Sequence, residues 1–455
     1  MPEDLHNVTA GNPVAWYRAG FERFEQGLNG DAGSRVHALR QRAIGRFAEL
    51  GFPTTHEEEW RFTNVAPIAA HPFTPAPAAG GPGLTPQDIE QFLLSGVKST
   101  TLVFVNGHFA RSLSRHVPLP SGVQAGNLAA AMRANPDAML QYLGAVAPFD
   151  EDSFTALSTA FLRDGAVVRV SDGCTMEHPI HLLYIATDAA EPFLATPRNL
   201  VVMGKNTRAS VIEHFVHTGR NRYFTNAVTE IVVGEDAVLE YDKIQNESPA
   251  AFHVGTIHVR QGRGSTFVSN AVSFGGSLVR NTVTATLGAE NIGCTLNGLS
   301  LATGSQLIDN HTTIDHAFPH CTSHELYKCI LDGTSHGVFN GRIFVRKDAQ
   351  KTDAKQTNKT LLLSDEATID TKPQLEIFAD DVKCTHGATI GQLDDEQVFY
   401  LRSRGIGLTE ARDLLTRAFA IDVIGRIGIP TLRDRLEHLL FERLEQGRLA
   451  GEVEG

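Results

Sequence analysis

More than 200 consecutive residues, from about Ala166 to Gly391, carry short strand-like runs and almost no helical pattern. Many of the runs alternate apolar and polar side chains, as a strand with one buried face does. The residues that close successive runs recur at intervals of 26–30 and then after an irregular gap: Gly204, Gly234, Gly262, Gly288, Gly333 and Ser364. A helix-free stretch of this length with a repeating turn narrows the fold to a few all-β architectures.

This repetition predicts a solenoid of stacked β-coils, in which each coil pairs with the next at about 4.8 Å and all coils share one core. A two-sheet sandwich is the alternative, because strands at a spacing of about 8–12 residues fit it as well. The length of the helix-free stretch favours the solenoid. A solenoid has open ends with unpaired strand edges, and we expect the helical patterns on both sides of it to cap them.

The chain therefore divides into three predicted regions. Residues 1–162 form an N-terminal helical region with a small hairpin, because Asn106-Gly107 lies between two β-rich runs and is typical of a type I′ turn. Residues 163–395 form the β-solenoid core, and residues 396–455 return to a helical pattern. The predicted fold class is mainly β, with helical regions on both flanks.

The composition excludes several classes of function. A net charge of −12 provides no basic field for binding nucleic acid or an anionic membrane. No apolar run approaches the roughly 18–20 residues of a membrane-spanning helix. The five cysteines are odd in number and widely separated, which is a poor disulfide framework and suits the reducing cytosol. We therefore expect a cytoplasmic protein that binds neither nucleic acid nor membrane.

Cys384 and His386, two residues apart in "DDVKCTHGATIG", are the first candidates for chemistry. In a strand they share a face at a separation of about 6.6–7 Å, so a thiolate and an imidazole there could bind one metal ion with ligands added from elsewhere. The alternative is a core position, because Val382, Ala388 and Ile390 have the same parity and a free cysteine is often a core residue. The residues alone leave both interpretations open.

A second group of potential metal ligands lies within residues 309–329: His311, His316, His320, Cys321, His324 and Cys329. Zinc or iron could bind some of these side chains, which would make the region a metal-storage site. Their spacing matches no pair of C-x2-C motifs, and Pro319 breaks any helix that would align His316 with His320. The spacing favours the alternative, in which these residues lie on outward strand faces and turns.

The chain could instead be a β-solenoid enzyme that acts on polysaccharide. Such an enzyme needs two carboxyl groups at a defined separation. The aspartates of the last predicted coils are scattered: Asp348, Asp353, Asp365 and Asp370. Turns explain these aspartates better than paired acid–base roles do.

The two C-terminal helical patterns carry apolar stripes. The first stripe comprises Leu414, Leu415, Phe419, Val423 and Ile427, and the second comprises Leu432, Leu436, Leu439, Leu440 and Phe441. A helical hairpin packed on its own domain and a surface that docks a partner both explain these stripes. Four positions are candidates for a docking surface: Leu414, Phe419, Leu436 and Phe441.

Three segments resemble the SufB/SufD family of the SUF iron–sulfur cluster assembly system. The longest covers residues 352–406 and contains the Cys384–His386 motif. The others are "HAFPHCTSHELYKCILDGTSHGVFNGRIFV" at 316–345 and "EEEWRFTN" at 57–64. The resemblance extends over nearly the whole chain and implies a right-handed parallel β-helix between helical N- and C-terminal regions.

The resemblance implies a scaffold subunit rather than an enzyme. In this family SufB and SufD pair through their β-helices, each docks the SufC ATPase through its C-terminal helices, and sulfur is delivered to SufB. His386 matches the SufD histidine implicated in cluster formation as an iron ligand, and Cys384 lies beside it in the motif. The implied cargo is a transient iron or iron–sulfur cluster at the interface with SufB, with no cofactor bound tightly by this chain alone. When the chain is alone, a homodimer through the same surface is one arrangement that the sequence leaves open.

The sequence departs from SufB at the positions that carry the chemistry of SufB. The sulfur-accepting cysteine of SufB matches Asn358 here, and its two glutamates beside the shared histidine match Thr385 and Gly387. This chain therefore has no thiolate nucleophile at that position. Because of these differences, the chain resembles the SufD branch of the family and not the SufB branch.

Overall fold

The computed structural model describes residues 12–28, 33–76 and 83–454. Its centre is a parallel β-solenoid in which the chain alternates between two sheets, so the predicted solenoid is confirmed and the sandwich is wrong. Sheet A comprises β1 (Thr74–Pro75), β4 (Val123–Asn127), β5 (Ala166–Val170), β7 (Phe193–Ala195), β8 (Arg198–Met203), β10 (Phe224–Val233), β12 (Phe252–Gln261), β14 (Leu278–Leu287), β16 (Leu307–His316), β18 (His336–Val345) and β20 (Thr368–Ile377). Sheet B comprises β2 (Thr100–Val105), β3 (His108–Phe109), β6 (Ile180–Ala186), β9 (Arg208–His217), β11 (Val238–Asn246), β13 (Thr266–Ser273), β15 (Gly293–Ala302), β17 (Thr322–Leu331), β19 (Asp353–Leu362) and β21 (Lys383–Gly391).

Successive coils pair in register along the solenoid. Phe224 of β10 lies opposite Phe252 of β12, and the pairing continues residue by residue to the end of both strands. At the start of sheet B, β2 and β3 form the predicted hairpin, in which Asn106 and Gly107 have φ values of 50° and 83°. Both positive values fit a type I′ turn. Because β2 also pairs in parallel with β6, sheet B begins inside the region predicted as N-terminal and helical.

One corner of the solenoid is made by residues in the left-handed conformation. These residues have φ values between 52° and 73°: Gly173, Asn206, Asp236, Gly264, Asn291, His320 and Lys351. Most of their amides donate to a carbonyl of the next coil, as Asp236 N–H does to Arg263 O at 2.8 Å. Gly, Asn and Asp reach this conformation at low cost. The recurring Gly204, Gly234 and Gly262 lie two residues earlier at the same corner and have no positive φ; a Cβ atom there would crowd the backbone of the preceding coil.

Most of the N-terminal region packs against the outer face of sheet A. Its helices are α1 (Pro13–Gln26), α2 (Arg35–Leu50), α3 (Ala66–Ala69), α4 (Pro86–Ile89), α5 (Leu128–Ala134), α6 (Pro136–Leu140) and α7 (Ser153–Ala160), with 3-10 turns at Glu58–Trp60 and Glu90–Phe92. Trp16, Phe21 and Phe24 are buried, and they join Phe224 and Phe252 of the sheet in one core cluster. Most of this region therefore covers sheet A, whereas α4 packs against sheet B, where Ile89 is buried beside Leu183 and Val216.

The C-terminal helices are α8 (Asp395–Ser403), α9 (Leu408–Ile424) and α10 (Pro430–Glu454). No helix in the described part of the chain is apolar enough over a sufficient length to cross a membrane. Val423 of α9 and Leu436 of α10 are buried against the outer face of sheet B. These helices lie beside the solenoid and not over its end, so the expectation that they cap the second end is wrong. Every residue of β20 and β21 is at least partly exposed.

Candidate functional site

The uncovered last coil is the candidate site. β20 and β21 each pair on one side only, with β18 and β19, and their other edges are unpaired within the described residues. Large apolar side chains are exposed on this coil and on α8: Ile377, Phe378, Ile390, Phe399 and Tyr400. An unpaired strand edge beside exposed apolar side chains is typical of a surface that binds another chain.

His386 lies in the inward-facing row of β21 and is nevertheless exposed to solvent. Its register neighbour on the preceding coil is Gln356, which is buried inside the solenoid. Register neighbours on parallel strands share a face, so His386 continues the interior row. No further coil in the described part of the chain covers this row. The parity that suggested a core position is therefore correct, yet the ring is accessible to another molecule.

Cys384 shares this face but is half-buried. It packs against a small apolar cluster that includes Ile343, Ala354 and Val382. Burial raises the pKa of the Cys384 thiol, so the neutral thiol dominates near neutral pH. Of the two side chains, His386 is the more accessible, and a thiol such as that of Cys384 can bind a metal ion only when its proton is removed.

The described residues do not supply a complete metal site. No group of three or more histidine, cysteine, aspartate or glutamate side chains among them could hold a metal ion. A four-coordinate site that used Cys384 and His386 would need two further ligands. Those ligands would have to come from another molecule at the open end.

The second predicted group of metal ligands is dispersed. His316 and Cys329 are buried inside the solenoid, whereas His311 lies on the outer face of sheet A, 3.3 Å from Glu59. The remaining members occupy a corner and the start of β17: His320, Cys321 and His324. Alternation along a strand sends neighbouring side chains to opposite faces. The six residues do not converge, and their interpretation as a metal-storage site is wrong.

The aspartates considered for a polysaccharide-acting enzyme do not form a carboxylate pair. Asp370 pairs with His336 at 2.8 Å. Asp348 and Asp365 are exposed in turns that follow strands of different sheets, and Asp353 is exposed at the start of β19. The enzymatic alternative therefore finds no support at these positions.

Asn358, which the resemblance matches to the SufB cysteine, is buried inside the solenoid. Its Oδ1 accepts a hydrogen bond from Thr371 Oγ1 at 3.1 Å, and its Nδ2 donates to Tyr327 O at 3.3 Å. A neutral amide with both ends bonded is neither a nucleophile nor a soft metal ligand.

The four predicted docking residues differ in accessibility. Leu414 is 41% exposed on α9, and Phe419 and Phe441 are partly buried. Leu436 is fully buried against sheet B, so it lies in the contact between α10 and the solenoid. This corrects its assignment to a docking surface. Two exposed apolar residues of α9 were not predicted: Leu408 and Ile421.

The matches to known proteins extend over nearly the whole chain. The family model described as "SufBD protein N-terminal region" matches residues 14–182, and the one described as "SUF system FeS cluster assembly, SufBD core domain" matches residues 184–419. The chain is 36% identical over 420 residues to an iron–sulfur cluster assembly SufBD family protein of Synechocystis sp., which covers 90% of this chain and 91% of the relative.

A second relative is the iron–sulfur cluster assembly protein SufD of Escherichia coli. It is 31% identical over 417 residues, which is 91% of this chain and 95% of the relative. The SufD of Bacillus subtilis is 25% identical over 419 residues, with 90% and 93% covered. The chain belongs to the SufBD family of the SUF iron–sulfur cluster assembly system, as a SufD-type member.

Proposed function

We propose that the chain is a non-catalytic scaffold subunit of the SUF complex, which pairs with SufB through its open solenoid end and supports iron acquisition and nascent cluster formation there. The observation that carries the proposal is the uncovered last coil, on which the imidazole of His386 and several large apolar side chains are all exposed. An incomplete ligand set at an unpaired edge suits a site that two subunits share.

Pairing with SufB uses the free edge of β21. Lys383 N–H donates to Thr352 O at 2.8 Å, so the backbone groups of the even-numbered residues of β21 point away from β19 toward the unpaired edge. β21 contains no proline and can bind a partner strand, whereas β20 carries Pro373, which lacks a donor. Strand addition of this kind joins two solenoids end to end. A homodimer of this chain alone would use the same edge.

At that junction His386 provides one nitrogen ligand for iron, which is cargo of the assembly and not a resident cofactor. Ferrous iron accepts imidazole and thiolate, and SufB supplies the ligands that this chain lacks. Cys384 is the weaker ligand, because burial keeps its thiol protonated. Since Asn358 has no sulfur, persulfide chemistry belongs to SufB.

The helices α9 and α10 dock the SufC ATPase. The outer side of α9 exposes three apolar side chains: Leu408, Leu414 and Ile421. Its inner side is held by Lys328 of β17, whose Nζ donates to Phe419 O at 2.9 Å and pairs with Asp422 at 2.9 Å. A movement of α9 driven by the ATPase is thereby transmitted to the coils next to the open end. A cytoplasmic location suits the five unpaired cysteines.

The test compares wild type with His386→Ala, each co-expressed with SufB and SufC. The substitution removes an exposed side chain, so we expect folding and complex assembly to be nearly unchanged while the iron content and the cluster yield of the purified complex fall. Thr385→Ala, on the opposite face of the same strand, is the matched control and should behave as wild type.

A normal cluster yield from His386→Ala would reject the role of this imidazole. If both variants lost the complex, the defect would lie in the pairing of β21 and not in iron ligation.

A further inference from the structure

We propose that Gln356, held in place by Glu325, is a positioning residue that accepts a hydrogen bond from one ring nitrogen of His386 and so directs the other ring nitrogen toward iron. The inference rests on the proposed function, because it concerns the same imidazole. Neither Gln356 nor Glu325 touches the iron.

The three residues form one column across the last three coils of sheet B. Glu325 on β17 pairs in register with Gln356 on β19, and Gln356 pairs with His386 on β21. Register neighbours on parallel strands lie about 4.8 Å apart with their side chains on the same face. Glu325 and Gln356 are buried, whereas His386 ends the column in solvent. On the other side of Glu325 the register neighbour is Leu296, which is apolar. The polar part of the column therefore begins at Glu325 and ends at the imidazole of His386.

Gln356 presents an unused acceptor within this column. Its Nε2 donates to Glu325 Oε2 at 2.6 Å, which fixes the amide nitrogen on the side of the preceding coil. Its Oε1 is buried and has no hydrogen-bond partner among the described residues. A buried amide oxygen without a donor is costly, so an N–H supplied from the open side stabilises the column. His386 is the register neighbour on that side.

The opposite sheet leaves room for this amide. Gly341 of β18 lies across the interior from Gln356, and a Cβ atom at Gly341 would overlap both the amide of Gln356 and the ring of Phe339. The amide therefore occupies a space that only glycine leaves free. Its position is set from two directions, by Glu325 along the column and by Gly341 across it.

A hydrogen bond from one ring nitrogen fixes the imidazole of His386 as a single neutral tautomer. The lone pair then lies on the other nitrogen, which is the form that binds a metal ion. Histidine ligands commonly make such a bond with their second ring nitrogen, and loss of its partner weakens metal binding about 10–100-fold. The column therefore orients the ring of His386 before iron arrives.

The test measures the tautomer of His386 in the full chain without iron. Nitrogen-15 chemical shifts of labelled histidine distinguish the two neutral tautomers, and His386→Ala identifies the signal. We expect one dominant tautomer in the wild type and a mixture close to that of free imidazole in Gln356→Met, which removes the acceptor at similar size. Gln374→Met is the matched control and should leave the signal unchanged, because Gln374 lies on β20 in the outward-facing row of Arg342.

If Gln356→Met disturbs the packing of the interior, Gln356→Asn is the second variant. It retains an amide group, but its side chain is one methylene shorter, so the oxygen lies further from His386. The same loss of a single tautomer is expected. An unchanged tautomer in both Gln356 variants, or a mixture already present in the wild type, overturns the inference. Because this measurement needs no iron, its outcome is independent of the cluster yield of His386→Ala, which tests the proposed function.

Discussion

Glu325 is a buried carboxyl group whose ionisation opposes folding. It lies inside the solenoid between Leu296 of one coil and Gln356 of the next. Burial raises the pKa of Glu325 from 4.5 to about 7. A carboxyl group whose pKa is higher in the folded chain than in the unfolded chain binds its proton more tightly when folded. This contribution to stability is complete below about pH 4.5 and is lost as the pH rises through about 7.

The size of the loss follows from the shift in pKa. A rise from 4.5 to about 7 at about 1.4 kcal/mol per unit means that the folded state loses about 3 kcal/mol once the pH exceeds 7. Glu325→Gln keeps the shape of the side chain and its contact with Gln356 but cannot ionise. The unfolding free energy of the variant minus that of the wild type should therefore rise by about 3 kcal/mol between about pH 4.5 and about pH 8.

The assay is urea denaturation of both proteins at about pH 5 and about pH 8, followed by circular dichroism. Glu366→Gln is the matched control, because Glu366 is exposed in the turn between β19 and β20. Its difference from wild type should be the same at both pH values. A difference for Glu325→Gln that stays constant or falls with pH would refute the conclusion that burial keeps this carboxyl group protonated.

Two further predictions concern the surfaces of the last coil and of the C-terminal helices. Ala388→Pro should abolish co-purification with SufB, because the N–H of Ala388 points to the free edge of β21 while the bonds to β19 stay intact. Normal co-purification would place the interface elsewhere. Leu436→Ala should lower the unfolding free energy by about 2–5 kcal/mol in urea denaturation, because it empties a fully buried position. Leu414→Ala, at an exposed position, should cost less than about 0.5 kcal/mol and should weaken SufC binding instead; an equal loss of stability in both would contradict this division between interior and surface.

The periodic part of the fold could be predicted because one corner repeats a backbone conformation. Left-handed corners at Asn206, Asp236 and Gly264 favour residues that reach positive φ at low cost, which leaves a regular trace in the sequence. His320 and Lys351 adopt the same conformation without that signature. The irregular gap in the sequence pattern has a second cause, because Gly288 follows β14 of sheet A whereas Gly333 and Ser364 follow β17 and β19 of sheet B. The pattern therefore changes from one corner of the solenoid to the other across this gap.

The placement of the C-terminal helices could not be predicted from their own pattern. An apolar stripe shows that a helix buries one face, but it does not identify the surface that covers it. The surface opposite Leu436 is assembled from side chains of several coils, including Ile244 and Leu299. No local pattern in the sequence joins these residues, so the stripes fitted an end cap, a docking surface and a side contact equally well.

The position of His386 in the last coil, more than its local pattern, decides what its imidazole can do. His316 has the same inward parity in an internal coil, where it is fully buried and burial lowers its pKa to about 4. At the last coil the same parity gives a ring that is open on one side and backed by Gln356 on the other. A partner strand added at β21 would supply the missing coil and enclose the ring as internal coils enclose His316. Exclusion of water from His386 and the arrival of the partner's ligands would then be consequences of one pairing event, so iron would be held only when both subunits are in place.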